Sequence, residues 1–78
     1  MAKGRKLTDA QVVELRERHQ FLRQTDEDEG QPRNDSANDR LVANEFGVSI
    51  SHVRDLVMGG SRKEAGGPID VARRERFL

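Results

Sequence analysis

The groups able to do chemistry in this 78-residue chain are few and scattered. There are two histidines, His19 and His52, and no cysteine. No carboxylate spacing around either histidine reads as a metal site. Without thiolates there is no disulfide framework and no cysteine-based zinc site. The acids Asp26–Glu29 form a charge run, which reads as a solvated loop. No glycine-rich phosphate loop follows a strand, and no nucleophile elbow is present. Catalysis, a cofactor and a bound metal are therefore not expected. What remains is a short concentration of hydrogen-bonding groups, Ser49, Ser51, Arg54 and Asp55, with the apolar Ile50 among them. Their use depends on the elements that present them.

Composition limits those elements. Hydrophobic residues make up 33% and charged residues 36%, with no Trp or Tyr, so a single domain with a small core is expected. No apolar run approaches the ~18 residues of a membrane span. The opening "MAKGRKLT" lacks the apolar centre of a signal peptide, which points to a soluble intracellular protein. No internal repeat is visible. The formal net charge is zero, which argues mildly against a simple basic DNA-binding protein. The distribution is uneven. Residues 1–23 and 40–78 carry an excess of Lys and Arg, whereas 24–39 holds six acids against Arg33 alone.

Thr8 reads as a helix N-cap with Gln11 as its capping-box partner, and Leu7 and Val12 are spaced as a hydrophobic staple. Asp9 suits the positive end of the helix dipole. Val12, Leu15, His19 and Leu22 then recur at helical spacing, so helix one is expected over 9–23. Glu14 and Arg18 are spaced for an i,i+4 pair on its outer face. "QTDEDEGQPRNDSAND" contains Gly30, Pro32 and no apolar residue larger than Ala37. It reads as a long acidic loop over 24–37, most simply disordered. Ser36 or Asp35 can cap a second helix bearing Leu41, Val42 and Phe46, and Ser49 can cap a third bearing Val53, Leu56 and Val57. Gly59 suits a left-handed C-cap.

Gly47 decides how the last two helices relate. One continuous helix would carry a glycine cost of ~1 kcal/mol and an internal cap residue, Ser49. Two helices folded about Gly47 explain both residues, and the small Ala43 lets them cross closely. That is a helix-turn-helix arrangement, in which the second helix is presented to the DNA major groove.

"RLVANEFGVSISHVRDLVMGG" resembles the helix-turn-helix of small DNA-binding proteins common in bacteriophages and their bacterial hosts, and the corresponding segment of site-specific resolvases and homeodomain-like domains. Ala43, Gly47, Val48, Val53 and Leu56 carry the match. "LTDAQVVELRERH" is similar to the helix preceding the motif in actinobacterial phage proteins, and "GGPI" at 66–69 to a short tail that follows it. The resemblance implies an all-α, three-helix core at 7–60, with the acidic loop between helices one and two. A flexible basic arm at 1–6 and a C-terminal helical tail at 61–78 flank that core.

It also implies a function: sequence-specific binding of double-stranded DNA in the cytoplasm of a bacterial host, by a regulator of transcription or recombination. The outward face of helix three then meets base edges through Ser49, Ile50, Ser51, Arg54 and Asp55, with His52 and Met58 at the margin. Arg54 can pair with guanine, Asp55 with a cytosine amine, Ser51 with either, and Ile50 with a thymine methyl. Arg54 serves equally as a phosphate contact, and Ile50 equally as core. Asn38, Asp39 and Arg40 lie at the start of helix two, where backbone amides favour an anion. Arg40, Arg62 and Lys63 are the phosphate candidates. In "GPIDVARRERFL", Pro68 can open a short helix as its first residue, with Ile69, Val71, Ala72, Phe77 and Leu78 giving it weak amphipathicity. It either caps the core or supports a homodimer on a two-fold site. Two other functions fit the same residues: a protein-interaction module, and the DNA-anchoring part of a packaging or recombination complex.

Overall fold

A computed structural model describes residues 7–76. Four α-helices follow one another: α1 (Asp9–Asp28), α2 (Asp35–Phe46), α3 (Ile50–Val57) and α4 (Val71–Arg76), with one 3-10 turn at Lys63–Ala65. No strand occurs among the described residues. α1, α2 and α3 pack on one another, and the 3-10 turn rests against α1. None of these helices is long and apolar enough to cross a membrane. The basic arm expected over 1–6, and Phe77 and Leu78 of the tail, lie outside the described residues.

α1 begins as its sequence indicates. The Gln11 amide donates to Thr8 Oγ1 at 3.1 Å and the Thr8 amide donates to Gln11 Oε1 at 2.9 Å. Leu7 and Val12 are both buried beside this box. The helix does not stop at 23. It runs to Asp28 and closes where the Gly30 and Gln31 amides reach the Glu27 and Asp26 carbonyls. The apolar stripe ends at Leu22, but residues 24–28 include no breaker before Gly30 and Pro32. Helix propagation needs no buried face once a stable helix precedes it.

The expected acidic loop over 24–37 is thus a helix end, a short connection and the first turn of α2. Its acids also have structural work. Asp26 accepts from the Asn38 side chain at 3.2 Å and the Asn34 amide at 3.4 Å, placing a carboxylate at the positive end of α2. Asn34, not Ser36 or Asp35, caps that helix, its Oδ1 accepting from the Ala37 amide. The outer-face pair differs as well: Arg18 reaches across to Glu45 with two bonds of 3.0 Å, rather than along α1 to Glu14.

α2 ends at Gly47, which has φ 67 and ψ 37, and the Val48 amide returns to the Ala43 carbonyl at 3.1 Å. α3 starts three residues later, at Ile50, with Ser49 Oγ accepting from the His52 amide at 3.1 Å. A side chain at Gly47 would set Cβ against its own carbonyl in this left-handed conformation. The end of α3 is closed by the Gly59 amide on Leu56 O and the Gly60 amide on Asp55 O, with Gly59 at φ 77.

The apolar core is Leu7, Val12, Leu15, Val42, Ala43, Val53, Leu56 and Val57. It contains no aromatic ring. Phe46, Val48 and Leu22 pack at its edge, and Phe21 is exposed with the Arg18 guanidinium over its ring. Arg16 lies fully buried within this small core. Its Nε donates to Leu56 O at 2.8 Å, one terminal nitrogen to Gly66 O at 2.7 Å and the other to Ser61 O at 2.8 Å. One side chain thereby fastens α1 to the end of α3 and to the segment after it. Burial lowers the pKa of this guanidinium, and neighbouring Arg62 lowers it further; an arginine nonetheless stays charged.

The fold predicts the behaviour of the α2–α3 corner. Gly47→Val should lower the urea midpoint of unfolding, with a cost of at least ~1 kcal/mol. Gly47→Asn should recover part of it, because Asn tolerates the left-handed region. Equal midpoints for all three proteins would mean that the turn does not need positive φ.

Candidate nucleic-acid interface

α3 divides its residues between two faces. Val53, Leu56 and Val57 are buried, whereas Ser49, Ile50, Ser51 and Asp55 are exposed and Arg54 is half-buried. His52 and Met58 are also half-buried at the margin of that face. Ile50, at the first position of the helix, is 43% exposed. Five residues singled out from the sequence therefore share one short helix with its cap, and four of them face solvent.

The three phosphate candidates part company. Arg40 is exposed on α2 and has no ion-pair partner among the described residues. Arg62 donates to the Leu7 carbonyl at 3.0 Å and to Asp9, tying the loop after α3 to the start of α1. Lys63 is exposed on the 3-10 turn that packs on α1. Asn38 and Asp39, expected near free amides at the start of α2, are buried inside that helix.

Asp39 is the hub of a polar cluster that includes several arginines. Arg73 of α4 grips it with two bonds, 3.0 and 2.8 Å. His19 Nε2 lies 2.9 Å from Asp39 Oδ1, and His19 Nδ1 lies 2.6 Å from Arg23 NH1. Arg23 can only donate, so Nδ1 accepts, and Nε2 carries the hydrogen given to Asp39. Asp70, just before α4, accepts from Arg33, lies 3.7 Å from Arg23 and takes the Arg73 amide at 3.3 Å. Asp35 accepts from Arg33 at 2.8 Å and from Arg76 at 3.3 Å.

α4 thus begins at Val71 after Asp70, rather than at Pro68, and the tail packs on the core through charge. Val71 and Ala72 are exposed, Arg73 is buried, and Ile69 supplies an apolar contact beside Gly59. Sequence periodicity missed this because Arg73 looks like any surface arginine. A signal was present in Asp39, three and four residues before the buried Val42 and Ala43, and in His19 on the apolar stripe.

Between α2, α3 and α4 lies a groove of about 620 Å³, whose walls include Arg40, Ile50, Arg54 and Arg76. Arginine, hydroxyl and carboxylate groups of this kind suit recognition of a polar polymer. Among the described residues, no group of three or more His, Asp or Glu is placed to hold a metal ion.

No family model, curated protein or solved structure matches this chain. The site is therefore read from its own chemistry.

The buried carboxylates set the response to acid. Burial alone would raise the Asp39 carboxyl, but the hydrogen bonds from His19 and Arg73 outweigh it and hold the group below the usual carboxylate value. Asp70 is likewise held low: burial opposes, and Arg33 and Arg23 prevail. Each carboxyl has a lower pKa folded than the ~3.9 of an unfolded aspartate. Their stabilisation is complete above that value and drains away as pH falls through the folded values. Thermal melts should be flat in stability down to about pH 5 and decline below about pH 4. Asp39→Asn should cost ~3–5 kcal/mol near neutrality, by leaving the buried Arg73 only its longer, 3.7 Å approach to Asp35, and should make the acid limb shallower. An acid limb unchanged in Asp39→Asn would remove Asp39 from this role.

Proposed function

We propose that the protein is a sequence-specific double-stranded DNA-binding protein of the helix-turn-helix type, with α3 as the helix that enters the major groove. The observation that carries this reading is the outer face of α3. It sets hydroxyls, a carboxylate and the exposed Ile50 on a helix held by its other face and braced behind by α1. Eight residues make a helix of ~12 Å, comparable to the ~12 Å width of the major groove. Supporting it too is the tight junction in which Gly47 ends α2 in a left-handed conformation and Ser49 caps α3. In this reading Ser49, Ile50, Ser51, Arg54 and Asp55 face base edges and Arg40 faces the backbone.

A helix this short reads only a few base pairs, so binding as a homodimer to a two-fold site would supply the remaining specificity. Regulation of transcription or recombination in a bacterial or phage setting is the biological role this implies. The neutral overall charge favours one competing reading, a protein-interaction module using the same face.

Selection of bound sequences from a random duplex pool separates the two. Enrichment of a short motif supports DNA recognition, and its absence favours the protein-interaction module. Within an enriched site, Arg54→Ala should weaken binding by ~1–3 kcal/mol and relax the preference at one base pair. A uniform loss across all sequences would reassign Arg54 to the phosphate backbone.

A further inference from the structure

The groove beside α3 extends the proposed interface beyond the helices that the sequence pattern marks. We propose that the groove between α2, α3 and α4 receives a DNA backbone phosphate, held by Arg40 and Arg76, so that α4 is a fourth element of the interface. The inference rests on the DNA-binding reading.

The charge balance supports it. Two acids, Asp35 and Asp39, line the groove. Asp39 is already neutralised by its two bonds to Arg73 and is buried. Asp35 receives Arg33 and Arg76. Arg40 then adds positive charge for which no ion pair is described among these residues. Arg76 has a side chain 60% exposed, and its contact with Asp35 is 3.3 Å. A solvent-exposed pair of this kind contributes little, so the guanidinium can exchange Asp35 for a phosphate, with which it makes stronger charge-assisted bonds.

The lining also indicates the class of ligand. It includes no aromatic side chain on which a nucleobase could stack. It shares Ile50 and Arg54 with the face proposed to read bases. A phosphate seated here would belong to the strand whose base edges α3 meets, which favours a polymer backbone over a free nucleotide. Arg73 has a positioning part: its grip on Asp39 seats α4, which in turn places Arg76 across the groove from Arg40.

The test compares wild type, Arg40→Gln, Arg76→Gln and the double variant for duplex binding over a range of salt. Urea melts serve as the folding control. Each single variant is expected to lower the slope of log affinity against log salt by about one unit, and the double by about two. Base preference should not change. Unchanged slopes in proteins that still bind duplex with sequence preference would overturn the groove assignment and leave the DNA reading intact. If the wild type binds no duplex at any salt, the DNA reading itself fails and the phosphate groove falls with it.

Discussion

The Asp39 carboxylate, taken out of water between three helices, is the constraint around which the rest of the molecule is arranged. A charge in that position is tolerable only if its hydrogen-bonding capacity is filled. His19 from α1 and Arg73 from α4 fill it. Arg23 in turn fixes the imidazole and lies near Asp70, which holds the start of α4. The core itself is eight aliphatic residues, too small to hold a terminal segment by apolar burial alone. Paired charge takes over where hydrophobic area runs out. Every described buried side-chain nitrogen and oxygen finds a hydrogen-bond partner, so the polar interior costs far less than an unsatisfied one would.

Local signals in the sequence were legible where one residue type has one job. The Thr8–Gln11 box, the turn at Gly47, the Ser49 cap and the closure at Gly59 follow from side chains with few alternative uses. The all-helical class followed from the same signals. What escaped were residues whose type points the wrong way. Arg16 and Arg73 are buried, yet arginine on a helix ordinarily marks a solvated face. The end of α1 escaped because periodicity of apolar residues registers burial, and Gln24–Asp28 are helical without an apolar stripe. The phosphate candidates show the same ambiguity, since a guanidinium that grips a carbonyl within the chain looks no different in sequence from one reserved for a ligand.

The acidic stretch changes meaning once its partners are known. As a free loop it would sit near the proposed interface as a source of repulsion. Instead Asp26 closes the start of α2, while Asp35 and Asp39 receive arginines from the connection and from α4. Several of the acids counted in the neutral total are taken up by internal pairing, so the local field at the groove differs from what the sum suggests. Net charge is then a weak guide to a partner. The placement of Arg40, Arg54 and Arg76 carries more information than their number.

The three bonds of Arg16 also bear on the order in which the chain folds. They span 40, 45 and 50 residues of sequence, whereas the corner at Gly47 is made from bonds between near neighbours. Closing the long loops costs chain entropy before any of the three carbonyls is reached. The α2–α3 corner has no such toll, so local structure there forms first and the docking of α1 onto it follows. Arg16 therefore acts late, as a lock on a corner already made. Losing it would speed unfolding more than it would slow folding.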